Sequence, residues 1–149
     1  MAGFIPKHLY KGCHHLSEET IVVCTTAETY YKIGGVWTNG TGGRCNFSYD
    51  GLGKITYDGQ KAAFLFTGVS DVAADKNCTI TYALYKNGVL VANAITPHIF
   101  STANQTANIS ITNLFEINRG DYFEIYVKSD TNATTLTVET LYMTFLGDR

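Results

Sequence analysis

The stretch from Asn113 to Asp148, NLFEINRGDYFEIYVKSDTNATTLTVETLYMTFLGD, constrains the fold more than any other part of this sequence. Phe123, Ile125 and Val127 alternate with Tyr122, Glu124, Tyr126 and Lys128. A period of two belongs to a half-buried β-strand. Ser129 to Thr134 supplies turn residues, and Leu136 and Val138 restart the alternation. The apolar set then changes phase. Leu136 and Val138 point one way by parity, while Leu141, Met143 and Phe145 point the other. Either a bulge near Glu139 and Thr140 shifts the register, or the strand is covered on both faces. The polar side chains spread along strand faces and do not converge on a point. The expectation is architecture or binding, without catalysis.

The rest of the chain repeats this grammar. Thr20 to Val23 and Thr29 to Ile33 are short candidate strands, and Asn39 to Gly43 is a glycine-rich loop. Asn46 to Tyr49 and Lys54 to Tyr57 flank Asp50-Gly51 as a hairpin. Ala62 to Val69, AAFLFTGV, is nearly continuous apolar and reads as a strand buried on both faces. Thr79 to Ala94 is a hairpin around Asn87-Gly88, the pair that a tight primed turn requires. Ala107 to Thr112 is a further strand. No amphipathic helix stands out. These signals predict an all-β chain: one antiparallel β-sandwich of jelly-roll type over residues 16–149, after a short irregular N-terminal arm over residues 1–15.

At 149 residues, one domain with a real core is expected. Charged residues are 16%, below the usual quarter, while Tyr numbers 10 and Phe 8. Low charge with many aromatics predicts a surface partly covered by a partner. The net charge of −2 gives no electrostatic footprint for nucleic acid. No apolar run approaches the ~18 residues of a membrane span, so no membrane partner is expected. The opening residues, MAGFIPKHLYKG, lack the apolar run and cleavage site of a secretory signal. Reduced thiols are therefore expected at Cys13, Cys24, Cys45 and Cys78, and unmodified side chains at the six Asn-x-Ser/Thr sites.

Chemistry-bearing clusters are weak. Cys13-His14-His15, with His8 upstream, is the most metal-like group. It lacks the paired ligand spacing of a structural zinc site, and adjacent histidines on an extended chain face opposite ways, so no metal or other cofactor is expected. Arg119-Gly120-Asp121 spells an adhesion tripeptide, but a tight turn before a strand explains Gly and Asp more simply. Glu116, Asp121, Glu124 and Glu139 could pair as a polysaccharide-cleaving acid and base, yet nothing singles out two of them. Trp37, the only tryptophan, is the candidate for stacking on a cell-surface glycan. Tyr122 and Tyr126 share the strand face opposite Phe123, Ile125 and Val127, as a subunit contact would require. With Tyr142 and Phe145 they form the expected interface set. Phe4, Ile5, Leu9 and Tyr10 make the arm too apolar for a free tail, which predicts a docking anchor.

FTGVSDV, ITYALYKNGVLV, FEINRGDYFEIYVKSD and a last strand ending in FLGD together resemble the trimeric jelly-roll modules of bacteriophage and other virus structural proteins. That group is similar in turn to the complement and tumour-necrosis-factor head fold. Lys86-Asn87-Gly88 and Gly120-Asp121 match its corners, over roughly Asn46 to Gly147. The resemblance implies a homotrimer with the last strand near the threefold axis, no catalytic residue, and a place on a virion. Its partners would be capsid or other virion proteins. With only about a dozen residues before the head, direct docking as a capsid decoration or a short-fibre head is expected. A carbohydrate- or receptor-binding fibre module is the alternative.

Overall fold

The computed structural model describes residues 9–39 and 46–148; the strand backbone is described at Leu9, Tyr10 and Asp148, but not their side chains. Its described residues form strands and turns and no helix. β1 (Leu9–Leu16), β2 (Thr20–Cys24), β3 (Tyr31–Lys32) and β4 (Trp37–Asn39) are followed by β5 (Phe47–Tyr49) and β6 (Ile55–Tyr57). The long strands come next: β7 (Ala62–Ala74), β8 (Cys78–Lys86), β9 (Val89–Phe100), β10 (Thr106–Ile117), β11 (Tyr122–Ser129) and β12 (Thr134–Asp148). They make two antiparallel sheets packed face to face. Sheet I runs β10-β7-β12-β1-β4, with β2 also on β12; sheet II runs β5-β6-β11-β8-β9, with β3 on β11. This is the jelly-roll sandwich expected from the alternating pattern.

Local chemistry explains the connections. Asn87 and Gly88 take φ of 54° and 79°, the left-handed pair that turns β8 back into β9. Asp50 Oδ1 accepts the Leu52 and Lys54 amides at 2.8 and 2.9 Å and so folds the β5–β6 hairpin. The Ser129–Thr134 segment does not make a hairpin. It crosses the sandwich, because β11 lies in sheet II and β12 in sheet I. The Ser129 and Thr134 hydroxyls bond to each other at 2.8 Å inside that crossing.

Between the sheets lies an aromatic core. Phe145 of β12 sits 4.6 Å from Phe123, 4.9 Å from Phe66 and 5.5 Å from Phe47, centroid to centroid. Phe66 and Phe145 come from sheet I; Phe123 and Phe47 come from sheet II. Offset and tilted pairs at such separations add about 0.5–1.5 kcal/mol each beyond buried area. Two glycines let the rings reach the backbone. A Cβ on Gly12 would lie 2.6 Å from the Phe47 ring, and one on Gly147 would lie 2.5 Å from Phe64.

The phase change in β12 is a bulge. Its pairing with β7 slips between Val138 and Thr140, so Leu136, Val138, Leu141, Met143 and Phe145 all point inward. A buried polar chain pins it. The Tyr82 hydroxyl bonds to Ser70 Oγ at 2.9 Å, and Ser70 Oγ donates to the Thr140 carbonyl at 2.7 Å. Thr140 Oγ1 accepts the Asp71 amide at 3.0 Å.

Three expectations need correction. The arm was expected to run irregularly to residue 15, yet Leu9–Leu16 is a strand with seven register pairs to β12, and its free backbone groups are used in the sheet. β7 is not buried on both faces within one chain: Phe64 and Phe66 point inward while Leu65 is exposed. Phe145 is no surface residue, at 0% exposure. Phe145→Ala should therefore act as a core cavity mutation. Urea unfolding is expected to show stability lower by about 3–5 kcal/mol with little change in slope.

Candidate functional site

The outer face of sheet I carries a block of nearly uncharged cross-strand rows. Register builds it in cross-strand rows. The first row is Leu114, Leu65, Leu146 and Lys11; the next is Thr112, Thr67, Thr144 and Cys13; the third is Ser110, Val69, Tyr142 and His15. Leu114 is 69% exposed, Tyr142 48%, Leu65 41% and Leu146 38%. Within these rows the formally charged side chain is Lys11, at the edge. Asn108 and Asp71 close the patch above, joined by a 2.9 Å hydrogen bond. Beyond the bulge the same face continues into exposed Ile21 and Val23 on β2. Water contacts these leucines only at a free-energy cost of roughly 25 cal/mol per Å².

A second apolar surface lies along β9, the edge of sheet II. Val89, Leu90, Ile95 and Ile99 are all exposed there. Pairing of β9 with β8 is irregular between Ala83 and Tyr85, and Asn113 Nδ2 of β10 donates to Asn93 Oδ1 of β9 at 2.9 Å. The two sheets thus meet at this side, where Ala94 and Phe100 of β9 pack inward and Val89, Leu90, Ile95 and Ile99 face outward. Long apolar edges are uncommon on isolated proteins because they invite pairing.

The four expected interface residues do not come together. Tyr142 lies on the outer face of sheet I, stacked on His15 at 5.3 Å. Tyr122 and Tyr126 lie across the sandwich on sheet II, where Tyr126 stacks on Tyr85 at 4.0 Å and Lys54 sits 4.6 Å above the Tyr122 ring. Phe145 is in the core between them. Parity put Tyr122, Tyr126 and Tyr142 on outer faces correctly, but the chain crosses sheets between β11 and β12, and Phe145, of opposite parity to Tyr142, belongs to the core. Leu65, Leu114 and Leu146 were missed as a site. Their signal was present: β7 and β12 carry apolar residues on both parity sets.

Trp37 cannot stack on a ligand. It is 5% exposed, its ring lies 4.9 Å from His14, and its Nε1–H donates to the Gly34 carbonyl at 2.9 Å. His14 points into the core while Cys13 and His15 point outward, so the trio does not converge as metal ligands. Among the described residues no cluster of three metal-type side chains forms. His8, Cys45, Phe4 and Ile5 lie outside the described residues, as do residues 40–43 of the glycine-rich loop. Cys13, Cys24 and Cys78 are free thiols, and burial pushes Cys24 up to about 11.

Asp121 is committed internally. It accepts the Asn118 amide at 2.8 Å and the Asn87 amide nitrogen at 2.9 Å, with Lys86 Nζ at 3.4 Å. Burial raises the cost of its charge, but these donors outweigh it and hold the carboxyl below its usual range. The other acids are scattered: Glu116 pairs with Lys61, Glu124 with Lys32, and Glu139 accepts from Thr106.

No family model and no curated protein matches this chain. Solved structures do. The fold is similar to Eiger TNF from S. frugiperda, with a TM-score of 0.66 at 8% identity, covering 94% of this chain and 92% of that one. It is also similar to murine APRIL, at pH 8.0 and at pH 5.0, with a TM-score of 0.60 at 10% identity, covering 92% of this chain and 98% of that one. Together with the strand order, these likenesses establish a tumour-necrosis-factor-like jelly roll. They bear out the head fold implied by the sequence and add no virus-specific element.

Proposed function

We propose that this chain is a non-catalytic structural module that closes into a homotrimer and sits on a virion, as a capsid decoration protein or the head of a short fibre. The observation that carries the assembly is the nearly uncharged, leucine-bearing outer face of sheet I. That face and the β9 edge are different surfaces, so one contact buries both only when the face of one copy meets the β9 edge of the next. A face-to-edge contact is heterologous, and a heterologous contact forms a ring where its rotation closes and a filament where it does not. A ring of three follows from the resemblance to trimeric jelly-roll modules. Leu65 and Leu146, apolar on the outer side of strands whose other side fills the core, then become buried on both faces.

The virion setting rests on the same resemblance and on the lack of any convergent polar cluster among the described residues. The glycan-binding alternative loses its candidate, because Trp37 is buried. Leu9 pairs with Asp148, so β1 begins at the end of the sandwich where β12 finishes. The backbone of Leu9 to Gly12 pairs with β12 in sheet I. The docking role therefore moves to residues 1–8, with Phe4 and Ile5 as its anchors.

Two experiments test this reading. Leu146→Lys changes an exposed position and should leave the circular dichroism unchanged. Light scattering at micromolar concentration should report a trimer mass for the native protein and a monomer mass for the variant, while Tyr126→Ala keeps the trimer mass. A native monomer at that concentration would refute the assembly. Deleting residues 2–8, which spares β1, should preserve the trimer and abolish occupancy on the assembled particle as seen by electron microscopy. Unchanged occupancy would refute the docking role.

A further inference from the structure

His14 is fully buried, and neither ring nitrogen has a hydrogen-bond partner among the described residues. The imidazole is held between two aromatic rings, Trp37 at 4.9 Å and Tyr49 at 5.0 Å. A neutral imidazole already leaves a donor and an acceptor unused there; a charged one would add an unpaired buried cation. The surroundings offer it little. On its own strand, Cys13 and His15 face the other side, and charge on His15 opposes charge on His14. On β12 the cross-strand neighbour is Met143. On β4, Asn39 and the Thr38 backbone favour the charged ring but do not reach hydrogen-bond geometry with it. On β5, the Tyr49 hydroxyl accepts the Cys13 amide at 3.0 Å. The carboxylate that acts on His14 is Asp50, already committed to the Leu52 and Lys54 amides and drawn toward Lys32. Burial outweighs these attractions and holds His14 below the ordinary histidine range.

The strands around this ring differ in how firmly they are held. β1 pairs with β12 at seven positions, but β4 pairs with β1 at three, and β5 with β6 at three. A proton at His14 would strain the weakest contacts first. We propose that His14 is an acid-operated latch: protonation drives its imidazole out of the slot between Trp37 and Tyr49 and frees β4 and β5 from β1, while the long strands stay in place. The closed corner binds fewer protons than the open one. Opening is therefore suppressed above the ordinary histidine value of about 6.5, and it becomes about tenfold more favourable for each pH unit below that, until the closed state itself takes the proton. The device does not depend on trimer formation.

Trp37, as the only tryptophan, reports the slot directly. Acrylamide quenching of its fluorescence is measured from pH 8 to 5, with far-UV circular dichroism in parallel. Hydrogen exchange of the β4 and β5 amides, corrected for intrinsic pH dependence, is followed over the same range. The native protein should show Trp37 becoming accessible and β4 and β5 exchange accelerating by up to about tenfold per pH unit below about 6.5, with the dichroism and β7 protection unchanged. His14→Phe keeps a ring in the slot without a titrating group and should abolish both changes. His14→Gln, which also does not titrate, serves if the phenylalanine variant fails to fold, and His15→Gln should retain both changes. Trp37 and β4–β5 protection unchanged down to pH 5 in the native protein would overturn the latch. So would persistence of the transition in either His14 variant.

Discussion

Phe145 is the contact on which the sandwich depends. It reaches Phe66 within its own sheet and Phe123 and Phe47 across the interlayer, so one side chain ties both layers together. Its inward direction is set by the bulge between Val138 and Thr140. Without that extra residue, Leu141, Met143 and Phe145 would swing to the outside, and Tyr142 and Leu146 would swing in. The buried Tyr82–Ser70–Thr140 chain fixes the bulge, so a few hydroxyls set the parity of the whole lower half of β12.

The same parity creates the outer face. Once Phe145 and Met143 fill the core, Tyr142, Thr144 and Leu146 must face outward beside Val69, Thr67 and Leu65 of β7. Core packing and the apolar outer patch are two consequences of one register. The threonine row between the leucine and tyrosine rows suits such a surface. Threonine has high strand propensity, carries no charge, and presents both a methyl and a hydroxyl to a partner.

Local rules read much of this from sequence, and their failures have identifiable causes. Strand periodicity, the Asn87-Gly88 turn and the β12 phase change are short-range signals, and each appears where expected. Which strands share a sheet is long-range information. The sequence shows β11 and β12 joined by a polar turn but not that the turn crosses the sandwich, so Tyr126 and Tyr142 fall on opposite outer faces. β1 was hidden because LYKGCHHL has few strand-forming residues. Gly12 is there for the Phe47 ring, and His14 points inward where an apolar residue would have marked the pattern. Trp37 and His14 shield each other, a pairing no local window contains. The leucine patch was visible only as apolar residues on both parities of β7 and β12, which first reads as burial within one chain.

Hydroxyl-radical footprinting tests most directly whether the outer face of sheet I is the self-association surface. At micromolar concentration, Leu65, Leu114 and Tyr142 should be protected relative to the Leu146→Lys variant. Tyr122 and Tyr126 on sheet II should be oxidised equally in both. Oxidation of Leu65, Leu114 and Tyr142 in the native protein at the rate found in the variant would contradict it.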